Sequence, residues 1–161
     1  LLSKFSKKTI TLIGGIVMMI GLLIIALFPE NFSMILVGLV IRGLGIAPGA
    51  VAGFAMLGDV ADYGEWKTGI RSEGLIFSAG TFAEKVGSGV GGLILGVVLG
   101  LGGYVSQGVT QSAEALFAIK AIFAYLPIAF TAICILLILF YDLDKKLPEI
   151  AEDLKAKRVN G

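Results

Sequence analysis

The chain has 161 residues, of which 57% are hydrophobic and 16% are charged, and 23 residues are glycine. A soluble domain carries about 25% charged residues and about 7% glycine, so this composition excludes most soluble folds and intrinsic disorder and predicts a membrane protein. The formal net charge of +1 gives no reason to expect a nucleic-acid partner. The sequence has no histidine, and its one cysteine, Cys134, lies in an apolar run. We therefore expect no disulfide framework, metal site, cofactor or histidine-based catalytic set.

Four apolar runs predict an all-α membrane protein with four transmembrane helices. At about 1.5 Å per residue, each run is long enough to cross a hydrocarbon core of about 30 Å. The predicted helices occupy residues 10–28, 32–57, 75–101 and 115–141. They form a predicted membrane part, 1–141, which is followed by a charged tail, 142–161. Within the tail, Leu147, Ile150 and Leu154 recur with a helical period, which indicates an amphipathic helix near the membrane surface.

The cationic residues predict the orientation of these helices, because short loops rich in Lys and Arg remain in the cytoplasm. The segments before helix 1, between helices 2 and 3, and after helix 4 are basic. The other two loops, 29–31 and 102–114, contain no Lys or Arg. Both termini are therefore predicted to be cytoplasmic, in a multi-pass protein of the cell or inner membrane. The basic residues on that side are Lys4, Lys7, Lys8, Lys67, Arg71, Lys145, Lys146, Lys155, Lys157 and Arg158.

Two cations lie deep within the predicted helices. Arg42 and Lys85 are each about 15 Å from the nearer helix end, where a charge costs roughly 3 kcal/mol. Such a side chain faces either a polar cavity, which indicates a binding role, or a partner charge such as Glu84 in an ion pair with Arg42. Helices 1 and 4 have no charge at this depth, because Lys120 is close enough to its helix end to reach the headgroups. We therefore expect these two helices to be peripheral.

Glycine and proline predict two further features. Small residues that recur every four positions on helix 3 allow another helix to approach its backbone closely. A glycine- and proline-rich segment just after Arg42 predicts an interruption of helix 2, as occurs where transporters bind substrate. The first group is Ser88, Gly92, Gly96 and Gly100, and the second is Gly43, Gly45, Pro48 and Gly49.

Asp59 and Asp62 follow the second apolar run, where the negative end of a helix dipole disfavours carboxylates. They require cationic partners, and Lys67, Arg71 or a loop of another domain could supply them. The alternative is a hydrated loop whose charges contribute little.

This segment also carries a resemblance to a known family. Residues 59–78, DVADYGEWKTGIRSEGLIFS, followed by Thr81 and Lys85, resemble the glycoside-pentoside-hexuronide:cation symporter family, the melibiose-carrier relatives within the major facilitator superfamily. The resemblance implies that the four helices are the last four of twelve. It also implies that a sodium ion or proton binds mainly in N-terminal helices that this sequence lacks.

The resemblance assigns roles to individual residues. Lys85 matches a lysine in the sugar and cation region of the family, and Thr81 matches a threonine that contacts sugar. Apart from the resemblance, the similar depth of Arg42 makes it a further candidate donor to an acidic sugar. Asp59, Asp62 and Arg71 match a charge network that closes the cytoplasmic gate.

The function that follows from these expectations is the C-terminal part of a secondary active transporter. Its partners would be a sugar or glycoside, a coupling cation, membrane lipid and the N-terminal helices of the same carrier. One alternative is a self-contained four-helix exporter, although the first helix lacks the carboxylate that such a protein needs. Another is a membrane-embedded enzyme, although the sequence has no metal-ligand spacing or nucleophile elbow.

Overall fold

The computed structural model describes residues 6–106 and 110–160, with the side chains of 158–160 omitted. Within these residues, four helices, the fourth of them composite, are long and apolar enough to cross a membrane, which confirms the predicted all-α fold with four spans. The elements are α1 (Lys7–Leu27), α2 (Phe32–Thr68), α3 (Glu73–Leu101), α4 (Ala113–Lys120), a π-helical turn (Ala121–Tyr125), α5 (Leu126–Leu139), a 3-10 turn (Leu143–Lys145) and α6 (Leu147–Asn160).

The first helix begins three residues before its predicted start, because Ser6 caps it. The Ser6 side chain accepts a hydrogen bond from the backbone N–H of Thr9 at 3.1 Å, which satisfies one of the free donors of the first turn. The Lys7 and Lys8 side chains therefore project from the first turn of α1. Helical structure starts at the cap, whereas an apolar run marks only the part that contacts lipid.

The second helix is longer than predicted and is not interrupted. It runs from Phe32 to Thr68 with Pro48 inside it, and it ends at Gly69, whose φ of 74° favours glycine. Pro48 removes only one backbone hydrogen bond, and Gly14 of α1 packs against the α2 backbone on both sides of it, at Gly45 and Gly49, so the helix continues. The predicted break is therefore wrong. Asp59 and Asp62 lie within α2 rather than at its C-terminus, so the helix-dipole argument does not apply to them.

The fourth span is divided into three parts where a single helix was predicted. The segments α4 and α5 are joined by the π-helical turn, two residues before Pro127. Proline lacks an N–H, and its ring clashes with the carbonyl four residues earlier, so a wider turn relieves the clash. The composite span nevertheless remains long and apolar enough to cross the membrane.

Helix α6 lies in the predicted tail, and one side of it is buried. Ile150 and Leu154 are 1% and 7% exposed, and α6 packs against α2. The Trp66 indole N–H also donates a hydrogen bond to the Asp153 carboxylate at 2.8 Å. The tail is thus helical with a narrow apolar face, and that face contacts protein. The division into a membrane part, 1–141, and a cytoplasmic tail remains a prediction.

The centre of the bundle is α1, which contradicts the expectation that this helix is peripheral. It packs against both α2 and α5, and Leu22 is fully buried. Glycines bring α1 and α2 together: a Cβ built on Gly21 would lie 2.5 Å from the backbone nitrogen of Arg42, and one on Gly45 would lie 2.4 Å from that of Met18. A helix with no charge beyond its first turn and with glycines at its contacts therefore occupies the interior, because it can approach its neighbours closely.

The outermost span is α3, in which no described residue is buried. Its predicted glycine stripe is not a packing surface in the described part of the chain, because a Cβ on Gly92, Gly96 or Gly100 would meet nothing within 4 Å. Contact with α2 is made instead near Gly80, whose built Cβ would lie 2.8 Å from Leu57 Cδ1. The other described helices therefore leave a face of α3 open.

Candidate functional site

Lys85 and Thr81 lie one turn apart on α3, as the sequence predicts, and both are exposed. The Thr81 hydroxyl donates a hydrogen bond to the Phe77 carbonyl at 2.9 Å, and its oxygen can still accept one. Within the ranges that the structure describes, the Lys85 side chain makes no hydrogen bond or salt bridge. An unpaired ammonium in a membrane-spanning helix is costly unless a polar group or an aqueous cavity faces it. This part of α3 therefore presents unused hydrogen-bonding capacity.

Arg42 lies elsewhere in the bundle. Its backbone lies on the side of α2 that packs against Gly21 of α1, and its side chain is half-buried, with an Nε that has no hydrogen-bond partner. Between the described residues there is no salt bridge from Arg42 to Glu84, so the ion pair that was one of the two alternatives is not formed. Helices α2 and α3 run antiparallel, and Gly80 of α3 faces Leu57 of α2. Counted from this contact, Glu84 and Arg42 are separated by roughly 16 Å along the bundle axis. The structure thus brings Lys85 and Thr81 together but separates both from Arg42.

One end of the bundle, here called the charged end, contains a partly buried cluster around Asp59. The Asp59 side chain is 7% exposed, and its Oδ1 contacts the Lys7 ammonium. The Tyr141 hydroxyl donates a hydrogen bond to its Oδ2 at 3.2 Å. A buried carboxylate is stable only when its lone pairs are satisfied. The two partners of Asp59 are far apart along the chain but meet at the charged end. The Asp59 cluster therefore joins α1, α2 and the end of the fourth span.

A second, exposed cluster surrounds Arg71 in the connection between α2 and α3. The Arg71 guanidinium forms salt bridges with Glu65 and Glu73, each at 2.7 Å, and with Asp62 at 3.3 Å. The hydrogen bond to Glu65, which is the largest contribution, and the hydrogen bond to Glu73 raise the pKa of Arg71 above the ordinary value of an arginine. This Arg71 cluster ties the end of α2 to the start of α3.

The first turn of α1 makes two more contacts at the charged end. The Lys8 backbone N–H donates a hydrogen bond to the Asp144 carboxylate at 2.9 Å, and the Lys8 ammonium donates one to the Leu139 carbonyl at 2.6 Å. The carboxylate satisfies a free donor at the positive end of the α1 dipole, and the ammonium satisfies a free carbonyl at the end of α5.

The predicted gate residues therefore belong to two clusters rather than one. Asp62 pairs with Arg71 as expected, whereas Asp59 pairs with Lys7 and Tyr141, which the sequence reasoning did not identify. Lys67, the other predicted partner, lies over the Tyr63 ring at 5.8 Å. The spacing of Asp62 and Glu65 by three residues on one helix could have indicated that both carboxylates share a cation. No local signal could have identified Lys7 or Tyr141, because both are distant in sequence. Lys4, a predicted member of the basic side, lies outside the described residues.

These features define a class of protein. In the part of the chain that the structure describes, four apolar spans, a closely packed central helix pair and an outer helix with an unpaired lysine define a multi-pass helical membrane protein. The sequence profile of the family described as MFS/sugar transport protein matches residues 1–145. The chain therefore belongs to this family, as the resemblance in residues 59–78 predicts.

Similar proteins indicate the same glycoside-pentoside-hexuronide symporter group. The chain is 37% identical over 158 residues to the isoprimeverose transporter of Lactiplantibacillus pentosus, covering 96% of this chain and 32% of that protein. It is 32% identical over 160 residues to a glucuronide carrier protein homolog of Escherichia coli (strain K12), covering 98% and 35%. It is 34% identical over 161 residues to an uncharacterized symporter of Bacillus subtilis (strain 168), covering 98% and 34%. The chain thus spans about a third of the length of the curated relatives it matches.

Proposed function

We propose that this chain is the C-terminal part of a secondary active transporter that couples sodium or proton entry to the uptake of a glycoside, pentoside or hexuronide by alternating access. Family membership supports sugar transport, and two of the similar proteins are named for isoprimeverose and glucuronide. The four spans correspond in this proposal to the last four of twelve. The coupling cation binds mainly in the first eight, and the chain has no catalytic role.

The observation that carries the proposal is the open face of α3. This membrane-spanning helix has no buried residue, and its Lys85 has no partner among the residues that the structure describes, so it requires something polar beside it. In the proposed carrier, the remaining helices and a water-filled substrate cavity supply those surroundings. Lys85 then donates hydrogen bonds to sugar hydroxyls or to a sugar carboxylate, and Thr81 offers its hydroxyl one turn away.

Arg42 is a second proposed substrate contact, with weaker geometric support. Its unpartnered Nε gives it hydrogen-bonding capacity. However, its position against α1, far along the axis from Lys85, makes it a candidate for the opposite end of a long glycoside rather than for the sugar bound by Lys85. A single small pentoside would not reach both residues.

The two clusters at the charged end form the proposed gate. Asp59 and Asp62 lie among the last ten residues of α2, Arg71 lies in the connection to α3, and each cluster stabilises a contact between helices. If this end is cytoplasmic, as the loop charges predict, then breaking the contacts would open the site toward the cell interior. Both termini of the chain would lie on that side, in the cell or inner membrane.

Substitution of Lys85 and Thr81 in the full-length carrier tests the proposal. We expect Lys85→Ala to abolish coupled uptake of radiolabelled isoprimeverose or a glucuronide without lowering protein abundance. We expect Thr81→Ala to weaken sugar affinity about fivefold, as for the loss of one neutral hydrogen bond.

The matched controls lie at the charged end. Lys155→Ala removes an exposed lysine of α6, and Thr68→Ala removes a hydroxyl that donates a hydrogen bond to the carbonyl four residues earlier, as that of Thr81 does. Both controls should transport normally. A Lys85→Ala carrier that still accumulates sugar against a gradient would contradict the assignment of the site to α3.

A further inference from the structure

A small apolar cavity lies at the end of the bundle opposite the charged end. It has a volume of about 180 Å³ and lies where the turn between α1 and α2 meets the π-helical turn of the fourth span. The π-helical turn widens the backbone there, so Phe123, Ala124 and Tyr125 form one wall of the cavity. The remaining apolar lining consists of Ile25, Ala26, Pro29, Ile35, Leu39 and Ile119.

The lining contains one charged side chain, that of Lys120. Neither Glu30 nor Glu114, the carboxylates at this end, forms a salt bridge with it in the part of the chain that the structure describes. Lys120 lies about 10 Å into the fourth span, so its long side chain can extend toward the headgroup level. The cavity therefore combines an apolar volume with an unpaired cation at its edge.

We infer that this cavity binds a segment of one acyl chain of an anionic phospholipid, whose phosphate pairs with the Lys120 ammonium. An apolar cavity of about 150 Å³ stays dry and accepts apolar groups, which makes hydrocarbon a better occupant than water. The positive charge at its edge complements the lipid phosphate. The inference requires only that the chain lies in a membrane, so it does not depend on the sugar-transport proposal.

Lipid retention by the full-length protein, delipidated in detergent and measured by native mass spectrometry, tests the charge. Phosphatidylglycerol and phosphatidylcholine with identical acyl chains are added separately. We expect phosphatidylglycerol to be retained about fivefold more strongly, as for one lysine near a lipid surface. Lys120→Gln should remove this preference and Lys120→Arg should preserve it. The control Lys155→Gln, which removes an exposed lysine of α6, should leave it unchanged.

Filling the cavity tests the apolar part of the site. Ala26→Leu places a larger side chain in the cavity and should reduce phosphatidylglycerol retention several-fold, whereas Ala79→Leu on the exposed surface of α3 should not. A phosphatidylglycerol carrying a photoreactive acyl chain should label the peptide that contains residues 119–125. Circular dichroism establishes that each variant retains its helical content. If Lys120→Gln does not fold, the two separate variants Lys120→Arg and Ala26→Leu provide the test.

Four results would overturn the inference. They are an unchanged lipid preference in Lys120→Gln, an equal loss in Lys155→Gln, unaltered retention in Ala26→Leu, or displacement of the lipid by inorganic phosphate. The last result would identify a site for a soluble anion rather than for a lipid.

Discussion

Asp59 and Asp62 are three residues apart on α2, yet their surroundings differ. The Asp59 side chain is 7% exposed and contacts Lys7 and Tyr141, whereas that of Asp62 is 43% exposed and shares Arg71 with two other carboxylates. Removal of one partner from a buried charged contact costs more than removal from an exposed salt bridge, because the remaining charged group is left without compensation away from water. The two aspartates therefore contribute differently to the stability of the fold, although both belong to the proposed gate.

We expect Asp59→Asn to lower the free energy of unfolding by about 2 kcal/mol, because it leaves the Lys7 ammonium, 26% exposed, without its carboxylate. Asp62→Asn is the matched control and should lower it by less than about 1 kcal/mol, since Arg71 retains Glu65 and Glu73. Thermal unfolding of the detergent-solubilised protein measures the difference. Equal destabilisation would show that burial of Asp59 has no energetic consequence.

Transport assays on the same two variants test the proposed gate. If a closed state requires these clusters, then Asp59→Asn and Asp62→Asn should reduce sugar uptake more than sugar binding, because the population of one conformation falls. Normal transport by both variants would favour the simpler interpretation, in which the charges only stabilise the fold.

At the scale of helices, the contact between α1 and α2 depends on the absence of side chains. Gly21 and Gly45 lie where the two backbones approach too closely for a Cβ, whereas a Cβ on Gly43 would meet nothing within 4 Å. Glycine in the middle of a helix costs about 1 kcal/mol relative to alanine. Close packing therefore explains Gly21 and Gly45, whereas Gly43 is a glycine of the same helix pair that is not packed and provides a comparison.

We expect Gly21→Ala to destabilise the protein by about 1–3 kcal/mol, because the added methyl group clashes with the backbone of Arg42. Gly43→Ala should be neutral or stabilising, since it has the same gain in helix propensity without the clash. Chemical unfolding in mixed detergent micelles compares the two variants. If Gly21→Ala were as stable as Gly43→Ala, α1 and α2 would be less closely packed than described.

At the scale of the whole molecule, the charged contacts lie at one end of the bundle and the uncovered surface lies along one helix. Salt bridges and the α6 contact are gathered at the charged end, the central helix α1 is uncharged between its first turn and its end, and α3 is open to its surroundings. The charged contacts between helices are thus concentrated at the charged end, whereas α3 is left open by the other described helices. The orientation with the charged end in the cytoplasm remains a prediction from the loop charges.

Cysteine labelling in a Cys134→Ser background tests that orientation in intact cells. We expect Asn31→Cys to react with a membrane-impermeant thiol reagent added outside, and Lys67→Cys to react only after the cells are permeabilised. A cysteine at Gln107 should behave like that at Asn31, although this position lies outside the described residues. Labelling of Lys67→Cys from outside would reverse the predicted topology.

The sequence by itself determined the number of spans, the fold class and the family. These properties depend on hydropathy and on one contiguous motif, both of which are local along the chain. Tertiary structure decided which helix is central, that α2 continues through Pro48 to Thr68, and that Asp59 pairs with Lys7 and Tyr141. It also separated Arg42 from Glu84. Each of these outcomes depends on distances between residues far apart in sequence, and hydropathy contains no information on how helices are rotated or aligned against one another.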